Sequence, residues 1–177
     1  GGQPGMTAAL EAARAGYEVS LVEKERRLGG WLRKFSKLFP KKPPYRDPEP
    51  VDLESRVEQI ERDDRITVHL GATIESINGQ PGQFDVSVRT DGATAEFRVG
   101  AIVQATGWKP YDASRLRHLG YGGANVITNV QMEEMAAFGS ITRPSDGKPA
   151  RRIAFVQCAG SRDAAPPPHC SAVCSRV

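Results

Sequence analysis

At 177 residues, with 39% hydrophobic and 25% charged side chains, the chain has the balance of an ordinary globular protein with room for one domain and part of another, which excludes a disordered tail. No apolar run approaches the roughly 18 residues of a membrane-spanning helix, and the N-terminus shows neither a basic region nor an apolar signal core, so no membrane insertion and a cytoplasmic setting are expected. The net charge of +3 is small, although Arg33, Lys34, Lys37, Lys41, Lys42 and Arg46 gather around Phe35, Phe39 and Tyr45. No recognised nucleic-acid motif accompanies that loop, so it reads as a solvated insertion with aromatic anchors and no nucleic-acid partner is expected.

The chain opens Gly1, Gly2, Gln3, Pro4, Gly5; Met6, Ala9, Leu10 and Ala13 then recur at the spacing of one buried helical face, closed by Gly16. Residues 17–22 alternate apolar and polar side chains and read as a strand ending at Glu23. From Trp31 to Pro50 the Lys- and Pro-rich composition predicts an irregular excursion. Leu53, Val57 and Ile60 mark a short amphipathic helix before a strand over 66–70, which makes a second helix-to-strand crossover. Residues 84–89 and 94–99 suit two strands joined by a tight turn at Asp91-Gly92, and 101–105 reads as a more buried strand breaking at Gly107. A helix over about 128–138, with Val130, Met135 and Phe138 near one side, and a strand over 153–157 complete the reading.

The opening glycines fit a Rossmann fingerprint. It needs a first glycine for a tight turn, a second so that a pyrophosphate can approach the backbone, and a third so that helix and strand pack closely. Gly2 and Gly5 fit the second and third, with Gln3 and Pro4 between them. The first glycine and its strand would precede Gly1, so the chain is expected to start inside the loop, truncated at its N-terminus. The following helix points its unpaired N–H groups at a diphosphate, and Glu23, eighteen residues after Gly5, ends the next strand where a ribose diol is gripped, with Lys24 beside it. An acid there argues against a 2′-phosphate, hence against NADP. Val68 or His69 lies where related folds place backbone contacts to adenine, and the His69 side chain reads as an edge or surface residue rather than a catalytic base.

These residues resemble the two-dinucleotide-binding-domain flavoproteins, whose FAD half places a Gly-Gly pair shortly after the ribose-binding acid, as Gly29 and Gly30 follow Glu23 here. The resemblance implies FAD rather than NAD. In that family an Ala-Thr-Gly segment ends a late strand and passes close to the flavin, and Ala105, Thr106 and Gly107 match it. The tail, with Cys158 in VQCAGSRD and then His169, Cys170 and Cys174, is similar to the heterodisulfide-reductase-A family, and that likeness extends from Gly1 to Val177. It implies a thioredoxin-reductase-like architecture and, on this Cys segment, an iron–sulfur cluster.

Three thiolates, Cys158, Cys170 and Cys174, are the metal candidates; a [4Fe-4S] cubane needs four ligands, and Ser175 stands where many family members carry a further cysteine. Cys170 and Cys174 are four residues apart, one helical turn, while the two-residue separation of a thioredoxin-type redox pair is missing.

The expected fold is therefore α/β: a Rossmann-like FAD-binding domain over 1–150, its parallel sheet flanked by helices and joined by a small antiparallel β element. The start of a second dinucleotide-binding-like domain, with the Cys-rich segment, is expected over 151–177. The expected function is flavin-dependent electron transfer by a fragment of a heterodisulfide-reductase-A-like oxidoreductase, which partners other subunits of a redox complex. No side chain is assigned as a catalytic acid or base. Two rival readings are a free-standing pyridine nucleotide-disulfide reductase and a non-catalytic nucleotide-binding or protein-interaction module with a vestigial flavin site.

Overall fold

The computed structural model describes residues 1–161 and residue 170, and the chain divides into two units. The first comprises Gly1–Arg33 and Val51–Trp108; the second comprises Lys34–Pro50 and Lys109–Val177.

The first unit begins with helix α1 (Gln3–Arg14), which buries Met6, Ala9, Leu10 and Ala13, the residues picked out by their spacing. The helix ends because Gly16 turns left-handed at φ 94°, so that its N–H donates to the Ala13 carbonyl and the Tyr17 N–H reaches back to the Ala12 carbonyl. This paired closure satisfies carbonyls that the helix itself leaves unbonded. The chain returns as strand β1 (Val19–Val22), which pairs in parallel with β4 (Ile66–His69), Val19 opposite Ile66 and Val22 opposite His69. Helix α2 (Glu54–Arg62) forms the crossover and packs on α1 and β4 through Ile60, which is fully buried. The parallel connection requires such a crossover because the two strands run the same way.

After β4 come β5 (Thr73–Gln80), β6 (Gln83–Thr90) and β7 (Ala93–Val99), an antiparallel meander with β6 in the centre. Its tight turns use Gly82 and Gly92, both at positive φ. One face carries Val86 and Val88, which pack with Ala72, Phe84, Phe97 and Val99 and against Val22 of β1. On the other face Asp85 and Arg98 stand opposite in register and bond bidentately at 2.7 and 3.0 Å. That side-chain hydrogen bond holds the Asp85 carboxyl below the usual carboxylate range and raises the Arg98 guanidinium.

Two predicted strands do not form. Residues 101–105 and 153–157 have no ladder partner among the described residues, and Val103, Phe155 and Val156 are exposed. Their apolar, β-branched composition suits a strand, but a strand exists only through its neighbour's hydrogen bonds, and composition does not supply the neighbour. Conversely, β5 forms where the sequence carries no strand signal: every residue in it is exposed, so it lacks the buried alternation that marks one.

In the second unit the excursion contains a short antiparallel pair, β2 (Lys37–Leu38) with β3 (Glu49–Pro50). Helix α3 (Asn129–Ala137) starts with a capping box in which the Thr128 hydroxyl accepts from the Gln131 N–H and the Gln131 side chain accepts from the Thr128 N–H. The Ser36 N–H donates to Glu133 of this helix at 3.2 Å. The apolar side expected of α3 is only partly covered: Val130 and Met135 are half-buried, no residue of the helix is fully buried, and Phe138 at its end is 90% exposed.

These burials set a stability contrast. Ile60→Ala is expected to cost about 2–5 kcal/mol in urea unfolding of the full-length protein, whereas Phe138→Ala stays within about 0.5 kcal/mol.

Candidate cofactor-binding site

Three segments distant in sequence meet at the N-terminal end of α1. The Gly29 N–H donates to the Gly1 carbonyl at 2.8 Å, and Gly2 and Gly29 form an isolated parallel bridge. The Gly1 nitrogen lies 3.0 Å from Glu23 Oε2. A Cβ placed at Gly30 would come within 3.1 Å of the Gly2 Cα, so the two backbones touch with no room for a side chain between them.

Each glycine of the pair has a physical reason. Gly29 sits at φ 116° and Gly30 at φ 50°, in the left-handed region that side chains disfavour. A Cβ at Gly29 would also lie 2.9 Å from a Leu53 methyl and 3.1 Å from Arg33 Cγ. Gly2 differs: it caps α1 with ordinary backbone angles and no side-chain capping bond, and nothing lies within 4 Å of where its Cβ would be. Open space beside an uncapped helix start, with no acidic residue in the first turn, suits an anionic group approaching the backbone. Gly5 is buried, and a methyl there would meet Ala105 Cβ at 3.5 Å and Leu21 at 3.8 Å, ordinary contact distances. The helix therefore approaches the strand closely, but that packing alone does not demand glycine.

Glu23 is the buried charged side chain among the described residues, 7% exposed. Its N–H donates to the His69 carbonyl and its carbonyl accepts from the Ala72 N–H, both at 2.9 Å, which pins the residue at the end of β1. Oε1 accepts from the Glu25 N–H at 2.8 Å. Each carboxylate oxygen retains a further lone pair, which a hydroxyl donor can use.

The structure thus brings together Gly2, Gln3, Pro4, Gly5, Glu23, Gly29 and Gly30, with Ala105 against Gly5. Thr106 and Gly107 follow in an exposed loop, Gly107 at φ 73°. Val68 lies inside β4 opposite Leu21, half-buried. Lys24 points outward, its Nζ 3.8 Å from Glu25 Oε1. His69 stacks its ring on Phe97, centroids 5.3 Å apart, and its Nε2 is buried with no partner among the described residues. One contact has no signal in the sequence: Trp31 and Trp108 stack with centroids 4.5 Å apart and planes within 6°. Trp108 directly follows the Ala-Thr-Gly segment, and no local spacing pairs it with Trp31.

Of the cysteines, Cys158 is half-buried in a tight turn at φ 60°, its carbonyl accepting from the Ser161 N–H at 3.0 Å. Cys170 is exposed, and Cys174 lies outside the described residues. Among the described residues no three His, Cys, Asp or Glu side chains gather to hold a metal.

A family model for pyridine nucleotide-disulphide oxidoreductases matches residues 1–138. The chain belongs to that family. Its fold is accordingly the Rossmann-like FAD-binding α/β fold, with β1 and β4 as parallel strands and the meander as its antiparallel element. Among curated relatives it is 26% identical to the A subunit of the ferredoxin/F420H2-dependent CoB-CoM heterodisulfide reductase of Methanosarcina acetivorans, over 98% of this chain and 32% of that protein. It is 27% identical to an iron-sulfur A subunit of the CoB–CoM heterodisulfide reductase of Methanopyrus kandleri, over 98% of this chain and 39% of that protein. The chain thus spans about a third of the length of these relatives. A solved structure, L-proline dehydrogenase from P. horikoshii, is similar over 60% of this chain and 21% of that one, at 23% identity and a TM-score of 0.47. No described helix is long and apolar enough to cross a membrane.

The glycine geometry predicts a split by position. Gly29→Ala, forced to φ 116° against Leu53, is expected to cost on the order of 1–3 kcal/mol in chemical unfolding, while Gly2→Ala changes stability by no more than about 0.5 kcal/mol.

Proposed function

We propose that this chain binds FAD and takes part in flavin-dependent electron transfer as part of a heterodisulfide-reductase-A-like protein. The observation that carries the reading is the meeting of Gly1 and Gly2, Glu23, and Gly29 and Gly30 around an uncapped helix start with open space beside Gly2. Family membership and the whole-chain likeness to the A subunits of heterodisulfide reductases support it.

On this reading the loop Gly2, Gln3, Pro4 and Gly5 at the start of α1 faces the diphosphate with the backbone N–H groups of its non-proline residues and the positive end of the helix dipole, Pro4 fixing the first turn without an N–H of its own. Glu23 accepts hydrogen bonds from ribose hydroxyls and, already buried and held by β4, loses little freedom in doing so. Gly29 and Gly30 keep the acid and the phosphate loop at a fixed separation, Val68 borders the adenine, Lys24 stays at the rim, and Ala105, Thr106 and Gly107 line the flavin end. FAD, when bound, supplies the electron-accepting and electron-donating chemistry, and the chain's part is to bind and orient it. No acid–base residue is assigned.

Cys158, Cys170 and Cys174 would supply soft thiolate ligands to an iron–sulfur centre, which would accept electrons from the flavin, a reading supported by the iron-sulfur protein named among the relatives. The partners are other subunits of a redox complex, since the similar proteins are named as subunits.

The test is the visible absorption spectrum of the full-length protein purified anaerobically, with released flavin and iron assayed on the same sample. Flavin bands with close to one FAD per chain are expected; a colourless protein sinks the reading. Gly2→Ala, which fills the open space without disturbing the backbone, is expected to weaken FAD binding at least about tenfold, a loss of about 1.4 kcal/mol. Cys158→Ser is expected to lower iron while FAD content holds; iron unchanged in that variant removes Cys158 from the centre.

A further inference from the structure

The stacked Trp31–Trp108 pair lies outside every role assigned above. Each indole directly follows a cofactor-binding segment: Trp31 comes after Gly29 and Gly30, and Trp108 comes after Ala105, Thr106 and Gly107. The rings are nearly parallel, and Trp31 Nε1–H donates to the Trp108 carbonyl at 3.2 Å, a contact across 77 residues of sequence. The glycine before each tryptophan is left-handed, Gly30 at φ 50° and Gly107 at φ 73°, a conformation that glycine enters and leaves with little steric penalty.

This bond restrains residues 101–108, which join no strand ladder among the described residues. The Trp31 side chain supplies a hydrogen bond that ties this segment to the rest of its unit. Ala105 adds a packing contact near Gly5. Trp108 remains 51% exposed, so burial alone does not account for its position.

We propose that the Trp31–Trp108 stack is a latch that sets the 105–107 segment against the Gly29-Gly30 turn, making both tryptophans positioning residues for FAD. This rests on the flavin reading above. With the latch closed, the loop for the flavin end and the turn for the pyrophosphate end are held as one surface before FAD arrives, so less ordering is left to binding. Neither indole needs to touch the cofactor. The two substitutions therefore remove the same thing.

That equivalence gives the experiment. FAD dissociation constants are measured for flavin-stripped full-length wild type, Trp31→Ala, Trp108→Ala, the double variant and Trp31→Phe, and the near-UV circular dichroism of each is recorded for the coupled signal of paired indoles. A latch predicts that each alanine variant loses the couplet and about tenfold in affinity, that the double variant loses no more than either, and that Trp31→Phe falls between. Unchanged affinity, or losses that multiply in the double variant, overturn the proposal, since independent contacts multiply. A wild type that takes up FAD but shows no couplet removes this inference alone. One that shows the couplet and takes up no FAD removes the flavin reading and this role with it.

Discussion

One backbone hydrogen bond, from the Gly29 N–H to the Gly1 carbonyl, holds together the two glycine-rich stretches on which the junction at the start of α1 depends. Such a bond contributes only about 1 kcal/mol net. Its importance is geometric: it requires Gly29 and Gly30 to be left-handed, Gly30 to touch Gly2, and Leu53 to fill the space behind. Glu23 is buried at the same junction, so the acid, the helix start and the turn cannot be adjusted independently.

The junction is legible in the sequence to the extent that its parts are local. Met6, Ala9, Leu10 and Ala13 repeat at a helical period, and Gly16 closes that helix as its position implies. The Asp91-Gly92 step does join two antiparallel strands, β6 and β7. What escapes is non-local or masked by polarity. Strand β5 is exposed along its whole length and carries no periodic signal, while 101–105 and 153–157 have strand-like composition without a ladder. The Trp31–Trp108 contact joins residues 77 apart, and although a glycine precedes each, no spacing in either stretch marks the other as its partner. The glycines of the fingerprint stand together in the sequence, yet only the structure separates their reasons: steric necessity at Gly29 and Gly30, open space at Gly2, and an ordinary contact at Gly5.

The described groups whose proton affinity is displaced, Asp85, Arg98 and Asp112, are exposed and owe their shifts to side-chain hydrogen bonds. Asp85 and Arg98 rivet the outer face of the meander, where two charged side chains shield each other. Glu23, the buried acid, accepts from the Glu25 N–H and lies 3.0 Å from the Gly1 nitrogen.

The unladdered apolar stretches contrast with the edge of the meander. Ile102 and Val103 in the first unit, and Ile153, Phe155 and Val156 in the second, expose side chains suited to strands on backbone that forms no sheet with the described residues. Meander strand β5, by contrast, presents Glu75 paired to Arg89 and bends at an irregularity near Ile74 and Ser76, devices that discourage stacking by a stranger. The apolar stretches gain such protection only from a further strand laid beside each, which would pair its backbone and cover its exposed side chains, Val103 in one and Phe155 and Val156 in the other.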